Sequence, residues 1–573
     1  MAIGSVTNSP IAMAQTPAEG GRPRSRNGAP MFALAILVFV LAIAFTRASF
    51  LGDTFDCGAS VSDFAHGHIY EFWDPGHVLW KPLGFVLLEV LKPITKLWAG
   101  SDDFSNAIVQ LIGINLVAGL SCVILLYAWL RRLGMPVVAT LVATSAFVIS
   151  NAFLNWTHTG VSYIPGLACV LLAFYLQAGR EDGSNLSVPR AAFAGLAFGL
   201  GVCFWLPYIL AGPAILLFAI VAHGWEEHRA KAMAISTLAA ALVGVLVYGP
   251  VILHLHLSSI AAVREWLKES SHGITHIKGV ARMAFGFARS WIDLGDDGPL
   301  FKRYLLHDHY NPVSLWNLVQ LSLWKLALFY CFLAALALAL WRSRASRPWF
   351  WLLVLNALPV LSFAIMWQGG DTERYLALYP AIFLAIAAVL GNFEVGRWAR
   401  VVVLLFLVAL AATNLPALSA GHLRSAERQL WVEWDALSAQ KTGGIALVET
   451  HSKLANFPRQ HPLAIRKPGL RVYEVVELGR EDTPNWRPAS ASVMLSTWSK
   501  GGDVWASKCF LNPRPEARCN WIEGEDDRVS WNSLYSFFSQ LEKGRSLAEG
   551  FVLLAPSDKN KVFLSSFLAR AKP

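Results

Sequence analysis

The chain has 573 residues, of which 55% are hydrophobic and only 15% charged, a balance that a water-soluble protein of this size could not keep off its surface. Its formal net charge of +9 would suit a nucleic-acid binder if the basic residues shared one soluble face. They fall instead in short loops between apolar runs, so a membrane is the expected solvent and nucleic acid is not an expected partner.

Residues 1–30 are small, polar and rich in Pro and Gly, which predicts a disordered cytoplasmic tail. Arg22, Arg24 and Arg26 precede the apolar run Met31 to Phe50. That run, about 20 residues, is long enough to cross a hydrocarbon core of roughly 30 Å, and no small-residue cleavage site closes it, so it reads as an uncleaved signal anchor. Further runs are Ala107 to Leu130, Pro136 to Phe153, Val161 to Leu176, Ala191 to Ala222, Ala232 to Leu255, Leu315 to Leu340, Trp349 to Trp367, Leu376 to Leu390 and Val401 to Leu415. Arg131 and Arg132, Arg180 and Arg190, Arg229 and Lys231, Arg342, Arg344 and Arg347, and Arg397 and Arg400 should all be cytoplasmic. Parity allows this if 191–222 is a pair of short helices turning near Pro207, which gives about eleven transmembrane helices in all. The fold class expected is therefore a polytopic α-helical membrane protein, with a transmembrane domain over residues 31–418.

Two long outer segments follow, 51–106 and 256–314. In the first, Val78 to Trp98 has helical character, and Lys81, Lys92 and Lys96 favour a helix lying in the interface over one that crosses. The second is rich in Arg, Lys and His with little apolar content; Arg264 and Lys268, and His272 and His276, are spaced to share a helix face, and the loop reads as either a solvated surface or a binder of anionic lipid heads or pyrophosphate. Trp156-Thr157-His158 and Tyr163 lie at another outer turn, beside the sequon Asn155-Trp156-Thr157. Residues 419–573 mix short apolar strands, Ile445 to Val448, Val472 to Val476 and Phe551 to Leu554, with polar turns, as in a soluble α/β domain on the periplasmic side. An oxidising compartment there predicts a disulfide between Cys509 and Cys519, whereas the other five cysteines read as buried thiols.

The chemistry is concentrated in three places. Gly52-Asp53-Thr54-Phe55-Asp56-Cys57-Gly58 follows the outer end of the first helix, and Trp73-Asp74-Pro75-Gly76-His77-Val78-Leu79-Trp80-Lys81-Pro82-Leu83-Gly84 forms a rigid turn into the interfacial helix. Gly370-Asp371-Thr372-Glu373-Arg374-Tyr375-Leu376-Ala377-Leu378-Tyr379-Pro380 stands at the outer end of a late helix. These elements resemble the GT-C superfamily of integral-membrane glycosyltransferases, in particular the bacterial branch related to protein O-mannosyltransferases. In that branch an Asp-Ser-Gly-like element after the first helix is followed by a His-Pro-Pro-Gly-Tyr-Pro-Leu-like turn, and a Glu-Arg-Tyr/Phe-Leu-x-x-x-Tyr-Pro element comes late. The usual first His of the turn is Trp73 or Asp74 here, and the acidic residue often found after the first Gly is Ala59. The resemblance covers residues 31–415 and leaves the C-terminal domain unmatched.

The resemblance implies a polyprenyl-phosphate-linked sugar as donor and a protein, glycan or lipid acceptor, with reaction at the outer face of a bacterial inner membrane and inversion at the anomeric carbon. Asp56 would be the general base, with Asp53 as its catalytic partner. Arg374 would bind the lipid phosphate, assisted by Glu373, Tyr375, His77 and Lys81. No cofactor is required; if Asp53 and Asp56 hold a metal, their oxygen ligands suit a divalent cation such as magnesium, manganese or calcium. Two competing classes are a transporter or flippase for a lipid-linked saccharide, which would show inverted repeats and ionisable groups at mid-membrane, and a non-catalytic envelope assembly protein.

Overall fold

The computed structural model describes residues 28–48, 54–67, 72–99, 102–178, 187–269, 279–295, 297–392, 396–419, 425–440, 443–449, 454, 470–476, 478, 485–516, 519, 521, 529–547 and 550–570. The expectations for the N-terminal tail, Asp53, and the His272 and His276 pair lie outside the described residues. The chain divides into two compact units, residues 1–96, 106–293 and 326–420 forming one, and 97–105, 294–325 and 421–573 the other.

The helices follow from the apolar runs in order. They are α1 Gly28–Phe45, α2 Thr54–Ala65, α3 Trp80–Ala99, α4 Asp103–Arg132, α5 Val137–Ile149, α6 Asn151–Thr157, α7 Tyr163–Gln177, α8 Val188–Phe204, then α9 Gly212–Leu216 and α10 Phe218–His223 after a 3-10 turn over Leu206–Ala211. They continue with α11 Glu227–His254, α12 Ile260–Glu269, α13 Val280–Trp291, α14 Asp297–Leu305, α15 Leu315–Leu318, α16 Trp324–Arg342, α17 Arg347–Met366, α18 Tyr379–Gly391 and α19 Arg397–Leu418. Among the described residues seven helices are long and apolar enough to cross a membrane, α5 and α6 form a pair bent by 60° that is either an eighth, broken span or a re-entrant loop, and three shorter apolar helices cover 163–177, 188–204 and 206–222. The chain is a multi-pass membrane protein. The run from Ala191 to Ala222 breaks at Trp205, where the backbone turns extended before Pro207 opens the next helical turn.

Packing separates central from peripheral helices. The apolar window of α18 is 83% buried, whereas those of α1 and α11 are only 17% buried, so the latter two present their Leu and Val side chains to lipid. Without a hydrophobic drive between helices in lipid, close approach comes from small residues. Gly195 and Gly199 of α8 supply it against α11: a Cβ on Gly195 would lie 2.1 Å from the Ser236 carbonyl oxygen. Beside α18, Trp291 of α13 stacks on Phe383 with ring centroids 4.8 Å apart and lies 5.1 Å from Tyr379. This corrects the reading of 256–314 as a loop with little apolar content, because Phe287, Ala288 and Trp291 put one face of α13 into the core.

Helix α3 has three distinct flanks. Trp80, Gly84, Leu88 and Thr95 are buried; Val86, Val90, Ile94 and Leu97 are exposed apolar residues; Glu89 and Lys96 are exposed on the charged flank. Of the three lysines on which the interfacial expectation rested, Lys81 is buried and Lys96 is exposed.

The second unit is α/β. It holds α20 Ser425–Ser438, β1 Gly444–Val448, β2 Leu470–Glu474, α21 Trp486–Ser499, β3 Val504–Ser507, α22 Trp531–Phe538, β4 Lys543–Leu547, β5 Phe551–Leu554 and α23 Asp558–Arg570. The sheet order is β2-β1-β3-β5-β4, with β1 parallel to β2 and β3 and the other pairs antiparallel. All five residues of β1 are buried, as a central parallel strand covered on both faces requires. Ile445 and Leu447 enter a core with Met494 and Phe537, while Ala446 and Val448 meet Trp434 and Leu437 of α20 on the opposite face.

Cys509 and Cys519 form a disulfide with a Cα–Cα distance of 5.8 Å. It closes a loop between residues 10 apart, so Cys519→Ser should cost the domain roughly 2–3 kcal/mol, read as an earlier denaturant midpoint for the full-length protein in detergent. A second prediction comes from the carboxyl ends of the parallel strands, where Glu449 follows β1, Glu474 ends β2 and Ser507 ends β3. Burial pushes the Glu449 carboxyl up to about 7, the Glu433 and Glu474 charges add to this, and hydrogen bonds from its own backbone and Ser507 oppose it. Between the ordinary carboxylate range and pH 7 the folded chain therefore holds a proton that the unfolded chain has released. Stability should fall as pH rises through that window and level off above it. Glu449→Gln should abolish the slope and gain at most about 3 kcal/mol at pH 8, measured by urea unfolding at pH 5 and pH 8.

Candidate active site

The turn before α3 is fixed from several directions. The Gly76 N–H donates to Asp74 Oδ1 at 2.8 Å, which rounds the turn, and Pro75 and Trp73 carbonyls accept from Tyr248 Oη at 2.9 Å and Trp266 Nε1 at 3.0 Å. Leu206 N–H donates to the Gly76 carbonyl at 3.0 Å, joining the turn to the break after α8. His77 thereby comes within 2.5 Å of Ser162 Oγ and 3.2 Å of the Phe204 carbonyl through its Nδ1. On the other side, Asn115 Nδ2 donates to the Thr159 and Val161 carbonyls at 2.5 and 2.7 Å, shaping the loop that carries Trp156 and Tyr163.

The late motif forms a 3-10 turn, Thr372–Leu378, leading straight into α18. Tyr375 is fully buried, and its hydroxyl meets the carbonyls of Gly369 at 2.6 Å and Met283 at 2.9 Å. Trp156 Nε1 donates to Thr372 Oγ1 at 3.1 Å. The backbone of 369–370 lies directly on α13, where a Cβ on Gly286 would sit 1.9 Å from the Gly369 carbonyl oxygen.

Between these pieces lies a cavity of about 560 Å3. His77, Trp156 and Tyr163 line it from one side, Trp205 and Leu206 from the helix break, Leu267 from α12, and Phe363, Trp367, Gln368, Asp371, Glu373 and Arg374 from the late segment. The volume suits a sugar-sized or larger ligand, and the wall mixes aromatic faces with a few polar groups. Arg374 is its cation. The side chain is only 14% exposed, its guanidinium lies over the Trp205 and Phe363 rings at 5.8 and 5.9 Å, and Nη2 donates to Gln368 Oε1 at 2.9 Å. Nε is 3.7 Å from Glu373 Oε1 and makes no hydrogen bond. A largely buried guanidinium on a cavity wall is a place for an anion.

The structure thus gathers His77, Glu373 and Arg374 with Trp156 and Tyr163 on one cavity. Tyr375 and Lys81 are buried and do not line it; Tyr375 instead ties the late segment to α13. Asp56 does not line it either. It is exposed in the first turn of α2, where a carboxylate sits favourably at the positive end of the helix. Two residues earlier Thr54 Oγ1 accepts from the Gly160 N–H at 2.9 Å, and Trp80 Nε1 donates to the Gly160 carbonyl, also at 2.9 Å, so α2 and α3 meet at the loop that carries Tyr163. Among the described residues no group of three His, Cys, Asp or Glu side chains is placed to hold a metal ion. Asp371, Gln368 and Trp205 are cavity residues that the sequence reading did not single out. Asp371 lay within the quoted late motif, whereas Trp205 stands in an apolar run with no polar mark of its function.

No family model matches the chain, and no curated protein matches it. Among solved structures it is similar to ArnT from Cupriavidus metallidurans bound to undecaprenyl phosphate, at 10% identity over 94% of this chain and 99% of that one, with a TM-score of 0.48. It is similar to the same protein in the apo state at 11% identity over 93% and 98%, TM-score 0.47. An Archaeoglobus fulgidus oligosaccharyltransferase tethered with an acceptor peptide containing the NVT sequon matches at 14% identity over 93% of this chain and 74% of that one, TM-score 0.45. Likenesses this distant carry no weight in deciding what the cavity does.

Proposed function

We propose that the protein is a membrane glycosyltransferase of the GT-C type that moves a sugar from a polyprenyl-phosphate donor to an acceptor hydroxyl at the periplasmic face of a bacterial inner membrane. The observation that carries this reading is Arg374, a largely buried guanidinium on the wall of an aromatic-lined cavity. The phosphate of the donor binds Arg374, whose planar fork matches phosphate oxygens, and the sugar lies against aromatic faces such as Trp156 and Trp205. The acceptor oxygen attacks the anomeric carbon, the bond from that carbon to the phosphate oxygen breaks, and the electron pair leaves on the polyprenyl phosphate. A carboxylate takes the acceptor's proton, Asp56 by its place in the motif after the first helix, with the cavity-lining Asp371 as its competitor. Arg374 balances the charge that grows on the leaving phosphate. The clusters of Arg between apolar runs support a cytoplasmic N-terminus and a periplasmic C-terminal domain.

The test is a panel of radiolabelled polyprenyl-phosphate sugars offered to membranes with and without the protein. Label should pass from one donor to an acceptor only where the protein is present, and the labelled product identifies that acceptor. Consumption of no donor across the panel would favour transport or envelope assembly.

A further inference from the structure

Gln368 is one of three described non-glycine residues with positive φ, at 42°, and the only one of the three that lines the cavity. A glutamine in that region is strained, and such strain persists only where the surroundings fix it. Here they do. Trp367 N–H donates to the Phe363 carbonyl at 2.8 Å before the turn, Asp371 N–H donates to the Gln368 carbonyl at 3.2 Å after it, and Gly369 is clamped between α17 and α13 by the Tyr375 hydroxyl. A Cβ on Gly369 would lie 2.5 Å from the Ala364 carbonyl oxygen and 2.8 Å from Met283 Cα. The turn points the Gln368 side chain back at Arg374, where Oε1 accepts from Nη2.

The two partners of Arg374 differ in charge. Glu373 is a carboxylate, whereas Gln368 accepts a hydrogen bond without cancelling the cation. The guanidinium is held at Nη2 by Gln368 and flanked by the Trp205 and Phe363 rings on the cavity wall. Resting on the reading that Arg374 receives the donor phosphate, we infer that Gln368 is a positioning residue that presents the Arg374 guanidinium to the phosphate of the lipid-linked donor, the strained turn being retained for that purpose.

Three substitutions separate positioning from structure. Gln368→Asn tolerates the left-handed backbone but is one methylene too short to reach Arg374. Gln368→Gly relieves the strain and removes the side chain. Gln368→Glu keeps the reach and adds a second carboxylate. With purified full-length protein in detergent, binding of polyprenyl phosphate is followed alongside thermal stability, with Arg374→Ala in parallel. Asn and Gly should weaken binding about tenfold, and Glu more, while the Asn and Gly variants melt at or above the wild-type temperature. If Asn and Gly bind as the wild type does while Arg374→Ala fails to bind, the positioning inference falls and the phosphate reading stands. If Arg374→Ala binds normally, the phosphate reading falls and takes the inference with it. Affinity and stability lost together in the Asn and Gly variants would mark Gln368 as merely structural and overturn the inference.

Discussion

Arg374→Ala should lower sugar transfer by about 10²–10³ or more, the loss typical of deleting one preorganised donor to a developing oxyanion, in membranes carrying matched amounts of protein. The size follows from its surroundings. A guanidinium between two rings, with one side-chain oxygen on Nη2, would meet the leaving phosphate without reorganising at the moment of bond breaking. Water that replaces it must reorient, and Glu373 at the same wall would then face the phosphate without the Arg374 cation beside it. Arg374→Lys should recover only part of the loss, because an ammonium is a point charge on a flexible stem and cannot present two parallel donors. Normal transfer by Arg374→Ala would move the phosphate elsewhere in the molecule.

Asp56→Asn should leave polyprenyl phosphate binding unchanged and reduce transfer by about 10²–10⁴, since the amide keeps the shape of the carboxylate and cannot accept the acceptor's proton. Transfer and binding together make the assignment decisive. Asp371 is the competing carboxylate because it lines the cavity, as Asp56 does not. A loss confined to Asp371→Asn, with Asp56→Asn fully active, would pass the role of base to Asp371.

Much of the fold was legible because a lipid environment enforces simple rules. Apolar run length located the spans, and Arg placement required 191–222 to be a broken pair, which Trp205 and Pro207 provide. In the C-terminal domain Ile445 to Val448, Val472 to Val476 and Phe551 to Leu554 coincide with three strands of the sheet to within a few residues, because short apolar runs bounded by polar turns are local signals. The apolar stripe of α13 was overlooked because its Phe287 and Trp291, four residues apart, are diluted by Arg282 and Arg289 in the same twelve residues. Cavity residues were legible where a charged or motif residue marked them, as at His77, Glu373 and Arg374, or where an outer turn did, as at Trp156 and Tyr163. Gln368 is set apart by its positive φ and Trp205 by its ring under the Arg374 guanidinium, properties of the folded chain that residue type alone does not announce.

The three flanks of α3 would make this helix a waterline if it lies in the interface. Its apolar flank of Val86, Val90, Ile94 and Leu97 suits hydrocarbon and its charged flank of Glu89 and Lys96 suits solvent, so in that placement the level at which oil gives way to water would run along its length. Gly76 and His77 come less than two turns of chain before α3 begins, and both belong to the cavity wall. With α3 so placed, the threshold of the cavity would be moored at the depth of the phosphate headgroups, where a substrate dissolved in the bilayer and one dissolved in water could arrive at the same height.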